Sequence, residues 1–327
     1  MSKVLVTGGA GYIGSHTVLA LNQAGYEVVV FDNLSTGQKD AVLPPARLET
    51  GDLEETEKLD RIMHREKFSA IIHFAASIIV PESVSDPLKY YQNNTAKTTG
   101  LINLAIKNNI PNFVFSSTAA VYGMPKEVPV DETAPPDPIN PYGRSKLMSE
   151  WVIRDAHKAH PGFKYVILRY FNVAGADPEG RIGQQTPNAT HLIKIACQTA
   201  LGRRNNLPVY GTDYPTRDGT GERDYIHVSD LADVHVKTLE YLKRGNEPEI
   251  FNCGYGHGYT VREIVEAVRK VSGKPFEIRE EERRPGDPAR LIADPSLLGT
   301  RVDWHPRLDN IEEIVKSALD WEEKMPV

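Results

Sequence analysis

The chain has 327 residues, 40% hydrophobic and 25% charged, enough to bury one large core or two modest ones. A net charge of -6 and a pI near 6.0 argue against a general binder of nucleic acid or of anionic membrane, and no apolar run approaches the ~18 residues that a membrane span needs. Cys197 and Cys253 lack metal-ligand spacing, so buried thiols, no metal and a cytoplasmic protein are expected.

Val4-Leu5-Val6-Thr7 reads as a buried strand, and Gly8-Gly9-Ala10-Gly11-Tyr12-Ile13-Gly14 turns from it into a helix reaching about Ala24. Gly9, Gly11 and Gly14 satisfy GxGxxG, and Gly8, Gly11 and Gly14 satisfy GxxGxxG. Such glycines let the backbone approach a pyrophosphate, whose charge the helix N-terminal amides meet. The next strand, Glu27 to Phe31, ends in Asp32, which suits an adenosine ribose and repels a 2'-phosphate, so NAD is preferred over NADP. The bland alternative is a tight strand-helix turn with no ligand.

A third strand near Arg47 to Thr50 leads to Gly51-Asp52-Leu53, then a charged helix from about Glu54 to Glu66 and the strand Ala70 to Phe74. Open α/β sheets bind ligands beyond the carboxyl ends of their strands, which makes Asp52, Leu53, Phe74, Ala75 and Ala76 candidate adenine and ribose contacts; ordinary loop packing is the other reading. A long helical stretch from Leu88 to Asn109 carries Leu101, Leu104 and Ala105 at helical spacing, with Asn93 near its start. The strand Phe113-Val114-Phe115 runs into Ser116-Ser117-Thr118. Between Tyr122 and Asn140 a Pro-rich loop is expected to wall a cleft.

Asn140-Pro141 suits a helix start, which puts Tyr142 and Lys146 four apart on one face. A cation beside a phenol favours the phenolate and brings a tyrosine into range as a proton-transfer group. A lone YxxxK occurs often by chance; the glycine loop and Ser116-Ser117-Thr118 give this one weight. The helix is expected to end near His160, before a strand from Lys164 to Arg169. The strand-helix alternation implies an α/β fold, a Rossmann-like doubly wound parallel sheet.

After Tyr170-Phe171-Asn172 the rhythm breaks into a Gly/Pro/Asn-rich stretch from Gly175 to Asn188, a helix through Cys197 to Leu201 and the pair Arg203-Arg204. A polar loop from Thr216 to Tyr225 follows, and Ile226-His227-Val228, with Asp230 to Val234 after it, is expected to return the chain to the main sheet. A strand near Ile250, a helix from Thr260 to Val271, the segment Arg283 to Asp287 and a last helix from about Ile311 to Glu323 complete the chain. The expected division is a dinucleotide-binding domain over 1–172, with 226–247 returning to it. A smaller α/β C-terminal substrate domain is expected over 173–225 and 248–327.

Taken together, the motifs resemble the sugar-nucleotide epimerases of the extended short-chain dehydrogenase/reductase family, across essentially the whole chain. The pieces are Val6 to His16, Asp32-Asn33-Leu34, His73-Phe74-Ala75-Ala76, Pro141 to Lys146, Leu168-Arg169-Tyr170-Phe171-Asn172 and Gly219 to Val228. The resemblance implies reversible C4 epimerisation of UDP-glucose and UDP-galactose through a 4-keto sugar, with tightly held NAD. It implies that Tyr142 takes the proton of the sugar 4-hydroxyl, that Thr118 hydrogen-bonds the same oxygen, and that Lys146 holds the nicotinamide ribose and acidifies the tyrosine. The cofactor set it implies is Gly8, Gly11, Tyr12, Ile13, Gly14, Asp32, Asn33, Asp52, Leu53, Phe74, Ala75, Ala76, Asn93, Ser116, Tyr142, Lys146 and Tyr170. Substrate contacts fall on Thr118, Tyr142, Phe171, Asn172, Leu192, Tyr210, Arg223, Tyr225, Arg284, Asp287 and Leu291.

Three positions depart from the family pattern. Thr118 stands where some relatives have serine and Ser77-Ile78 where some have lysine, while Leu291 replaces the bulky tyrosine that gates the sugar pocket. The last leaves room for N-acetylated UDP-hexosamines. Related dehydratases carry an Asp-Glu pair after the threonine, and Ala119-Ala120 has no proton to move; a non-catalytic NAD-binding regulator would have lost Tyr142 or Lys146. A homodimer through the helices near Leu88–Asn109 and Pro141–His160 also follows from the resemblance.

Overall fold

The computed structural model describes residues 2–186, 189–284 and 286–326; Pro187 and Asn188 of the Gly/Pro/Asn-rich stretch and Pro285 of the Arg283–Asp287 segment lie outside it. Strand β1 (Lys3–Thr7) turns at the glycines into α1 (Tyr12–Gln23), followed by β2 (Glu27–Asp32) and β3 (Arg47–Thr50). Helix α2 (Thr56–Glu66) leads to β4 (Ala70–His73), two short helices α3 (Val80–Ser85) and α4 (Pro87–Tyr90), then α5 (Lys97–Lys107) and β5 (Asn112–Thr118). Helix α6 (Pro141–Ala159) and β6 (Lys164–Tyr170) complete the alternation.

These strands form one seven-stranded parallel sheet in the order β11-β6-β5-β4-β1-β2-β3, where β11 is Glu249–Cys253. Successive side chains of a strand point to opposite faces, and each face is apolar because helices cover both. Val4, Val6, Val28, Val30, Val114 and Leu168 pack toward one layer of helices, while Leu5, Val29, Phe31, Phe113, Phe115 and Ile167 pack toward the other. Strand order reverses between β1 and β4, the switch point at which such sheets open a crevice.

The second part of the chain holds β7 (Asn172–Ala174), α7 (Leu192–Ala200), β8 (Leu207–Tyr210), β9 (Glu222–Arg223) and β10 (Tyr225–His227). Next come α8 (Val228–Lys243), β11, β12 (Tyr259–Thr260), α9 (Val261–Ser272), β13 (Ile278–Glu281), β14 (Arg290–Leu291), α10 (Ser296–Val302) and α11 (Ile311–Lys324). Small sheets pair β10 with β7, β13 with β8, and β12-β9-β14.

One sequence expectation changes. Ile226 and His227 do not rejoin the main sheet; they pair with Val173 and Ala174, and the return is made by α8 and then β11 against β6. The segment 248–327 therefore begins inside the large sheet. Ile226 is apolar enough for a sheet centre, but strand pairing is non-local and its partner is not written in the segment. The helix expected over Leu88–Asn109 forms, running from Pro87 to Lys107 with a π-helical stretch at Tyr91–Ala96. Asn94 is buried in that stretch, where its side chain bonds the Ser77 backbone and the Ser145 hydroxyl.

Helix α6 starts where the sequence places it: Asn140 Oδ1 accepts the Gly143 N–H at 2.9 Å and Pro141 occupies the first helical position. Asn140→Ala should lower unfolding free energy by about 1 kcal/mol in urea titration, the usual value of an N-cap.

Candidate active site

The glycine turn is packed to the limit its missing side chains allow. Gly8 has φ +73°, and a Cβ there would stand 2.5 Å from the Ala75 nitrogen; a Cβ on Gly14 would stand 2.3 Å from the Gly8 carbonyl oxygen. The first turn of α1 has neither a capping side chain nor an acidic residue, so its amides are offered to an anion. Asp32, at the end of β2, accepts from the amides of Ala10 (2.9 Å) and Leu34 (2.8 Å), which ties the carboxylate to the turn. Asn33 donates to Asp52 at 2.8 Å, and Lys97 donates to the same carboxylate at 2.7 Å. A close backbone approach, a free helix N-terminus and an acidic residue at the end of β2 fit a dinucleotide without a 2'-phosphate.

At the ends of β4 and β6 the expected cofactor residues have partners of their own. Leu53 is buried among Phe31 and Leu59; Ala75 and Ala76 line the strand end, partly exposed. Phe74 lies 4.8 Å from the His235 ring, and His235 shares a 2.5 Å hydrogen bond with the Tyr170 hydroxyl. Asn93 donates to Ser77 Oγ at 3.0 Å. Tyr12 donates its hydroxyl to the Gly175 carbonyl at 2.6 Å, linking the glycine loop to the second part of the chain; Ile13 packs on the core beside it.

Tyr142 is partly buried at the start of α6, with the Tyr90 ring edge-on at 6.4 Å. Burial pushes the phenol's pKa up, and the Thr118 hydroxyl beside it pulls in the other direction. Lys146 is buried four residues on. Its Nζ lies 4.9 Å from the Phe115 ring centre, and it donates to the Ser116 carbonyl at 2.7 Å, with Ser116 Oγ at 3.5 Å. Burial lowers its pKa to about 7 while Glu150 raises it. The ammonium is turned to Ser116, because a buried cation seeks an acceptor and the strand end offers a carbonyl.

The expected substrate residues fall into neighbouring groups. Asn172, Leu192 and Tyr225 line one cavity with Lys194 and Trp321. Arg223 forms an ion pair with Asp287, and both act electrostatically on the Tyr225 hydroxyl. Arg284 lies over the Tyr210 ring at 3.7 Å, and its carbonyl accepts from the Asp287 amide at 3.2 Å. Leu291 packs with Phe171, Ala119 and Leu147, and β14 places it beside Arg223. The loop from Tyr122 to Asn140 walls this region, held by a two-way backbone pairing of Val130 with Ile292 and Asp294. Among the described residues no group of three His, Cys, Asp or Glu side chains is arranged to hold a metal ion.

Sequence reasoning gave no role to Asn94, Ser117, Glu150 or Arg169, although Ser117 and Arg169 lie in motifs it singled out. The spacing carried a signal for one of them: Glu150 follows Lys146 by one helical turn, on the face that meets the sheet.

The sequence profile of the NAD dependent epimerase/dehydratase family matches residues 4–254. The chain belongs to this family. It is 54% identical to a UDP-glucose 4-epimerase of Azospirillum brasilense over 99% of this chain and 92% of that one. The crystal structure of the Brucella ovis UDP-glucose 4-epimerase in complex with NAD superposes with a TM-score of 0.95 at 43% identity, covering 98% of both chains. The UDP-Glc/GlcNAc 4-epimerase of Campylobacter jejuni is 50% identical with a TM-score of 0.88, over 99% of this chain and 100% of that one.

The Lys146 pKa makes stability pH-dependent. Between about pH 7 and 10.5 the unfolded chain holds a proton at Lys146 that the folded chain lacks, so folding becomes more favourable as pH rises through that window. Urea titrations of the NAD-free protein should show wild type gaining stability relative to Lys146→Met from pH 7 to pH 9.

Proposed function

We propose that the protein interconverts UDP-glucose and UDP-galactose by inverting C4, with NAD held at the glycine turn. The observation that carries this is the grouping of Tyr142, Thr118 and Lys146 at the carboxyl end of β5, beside the switch-point crevice. Ala119 and Ala120 follow Thr118 where water elimination needs acids, which favours epimerisation over dehydration. The Azospirillum relative supports the sugar, and the Brucella structure supports the cofactor.

Gly8, Gly11, Tyr12, Ile13 and Gly14 would hold the pyrophosphate, Asp32 and Asn33 the adenosine ribose, and Lys146 the nicotinamide ribose. When bound, NAD supplies a hydride acceptor for C4 that later returns the hydride to the other face. Tyr142 takes the proton from the 4-hydroxyl and gives it back, and Thr118 holds the oxygen between the two events. Asn172, Leu192, Tyr210, Arg223, Tyr225, Arg284 and Asp287 grip the UDP, the guanidinium groups meeting the diphosphate oxygens. A firm hold on UDP and a loose hold on the hexose let the oxidised sugar turn over in place.

A second reading widens the substrate range to UDP-N-acetylhexosamines, because Leu291 is short and the half-identical Campylobacter relative is a UDP-Glc/GlcNAc enzyme. Incubation with UDP-galactose should give UDP-glucose with no net NADH, and a 4-keto-6-deoxy product would sink the proposal. The same assay on UDP-N-acetylgalactosamine decides the wider reading: no conversion removes it. Tyr142→Phe should retain NAD and lose turnover about 100-fold to 10,000-fold.

The protein is proposed to act as a homodimer in the cytoplasm. Val84 and Leu88 are 65% and 76% exposed on α3 and α4, which pack on α6, where Trp151 is 50% exposed; such apolar surface favours a partner. Both cysteines are buried free thiols, as a reducing compartment allows. Val84→Glu combined with Leu88→Glu should sediment as a 36.4 kDa monomer, against twice that mass for wild type.

A further inference from the structure

Three residues of α6, each four from the last, meet the end of β5: Tyr142 at Thr118, Lys146 at Ser116 and Glu150 at Ser117. Ser117 faces the α6 side of the sheet, and its hydroxyl donates to Glu150 Oε1 at 2.5 Å. Arg169, the register partner of Ser117 on β6, grips the same carboxylate with Nε at 3.1 Å and Nη2 at 2.7 Å. Its remaining nitrogen donates to the Tyr122 hydroxyl at 2.9 Å, which donates on to Asn252 of β11 at 2.7 Å. Glu150 is 1% exposed and Arg169 3%, so this is a fixed pair in a dry setting and not a surface ion pair.

A buried ammonium with only a carbonyl for company tends to lose its proton. On its own helix Lys146 has Tyr142, a neutral phenol, and Glu150. From β4 His73 feels its charge and is kept neutral with a pKa near 3, and from β5 it meets Ser116 and the Phe115 ring; Arg169 of β6 is paired with Glu150. The carboxylate pulling its pKa back up is Glu150.

We propose that Glu150 is a positioning residue for the reaction: through Ser117 and Arg169 it pins α6 to the end of β5, and its carboxylate lies one helical turn from Lys146, where it supports the ammonium. The proposal rests on the roles given above to Tyr142 and Lys146. Without Glu150 the lysine gives up its proton at a lower pH.

The test compares wild type with Glu150→Gln and with the paired Glu150→Gln, Arg169→Gln variant, which leaves no unmatched buried guanidinium if the single variant fails to fold. In NAD-loaded enzyme, lysine Cε NMR shifts are followed against pH, with Lys146→Met identifying the signal, and kcat on UDP-galactose is measured in parallel. The Lys146 midpoint should fall by about one pH unit, tenfold in proton affinity, and the alkaline limb of the kcat profile should move down with it. An unmoved midpoint in a folded, NAD-loaded variant overturns the proposal, as does lower kcat with an unshifted profile, the signature of mere structural support. Should wild type fail to epimerise while the midpoint still moves, the epimerase reading falls and the electrostatic link stands.

Discussion

Every strand of the main sheet runs the same way, so seven carboxyl ends meet along one edge, and the chemistry of the molecule hangs from that edge. The end of β1 gives the glycine turn, β2 gives Asp32, and β4 gives Phe74 and Ala75. The ends of β5 and β6 give Ser116 to Thr118 and Tyr170 to Asn172. A parallel strand must be followed by a crossover, and the crossover helices α1 and α6 start at this same edge, which aims the amides of one and the tyrosine of the other at a common space.

Placing polar groups at a closely packed edge has an electrostatic cost. Burial makes both Tyr142 and Lys146 harder to ionise, and each has one neighbour acting the other way, Thr118 for the phenol and Glu150 for the ammonium. His73, under the same lysine, stays neutral and spends its two ring nitrogens on the Thr7 and Thr98 hydroxyls. The site therefore keeps its charges few, and any bound molecule that excludes more water will strengthen those remaining interactions.

The second part of the chain is held to that edge by backbone pairing rather than by a linker. Strand β7 starts one residue after β6 and pairs with β10, so Asn172 and Tyr225 face one another across a register. Asp224, between β9 and β10, is fully buried and accepts the amides of Tyr255, Gly256 and Ala293. Burial raises its pKa to about 6 against the pull of those amides. This carboxylate joins the segment after β11, the turn between β9 and β10, and the segment just after Leu291.

Much of this was written locally. Alternation of strand and helix periods, the glycine turn, Asp32 and the Asn140 cap each depend on residues near one another, so the sequence alone determined the doubly wound half, the dinucleotide-type turn and the tyrosine-lysine helix. What only the tertiary structure decided depends on partners far apart in the chain. Ile226 joins Val173 and leaves the seventh strand to Glu249–Cys253; Arg223 turns to Asp287; Asn94 reaches Ser77 and Ser145 from a π-helical stretch; Lys146 reaches Ser116, thirty residues back. Hydrogen bonds and ion pairs of this kind are set by which buried group lacks a partner once the core has closed, and that shortage exists only in three dimensions.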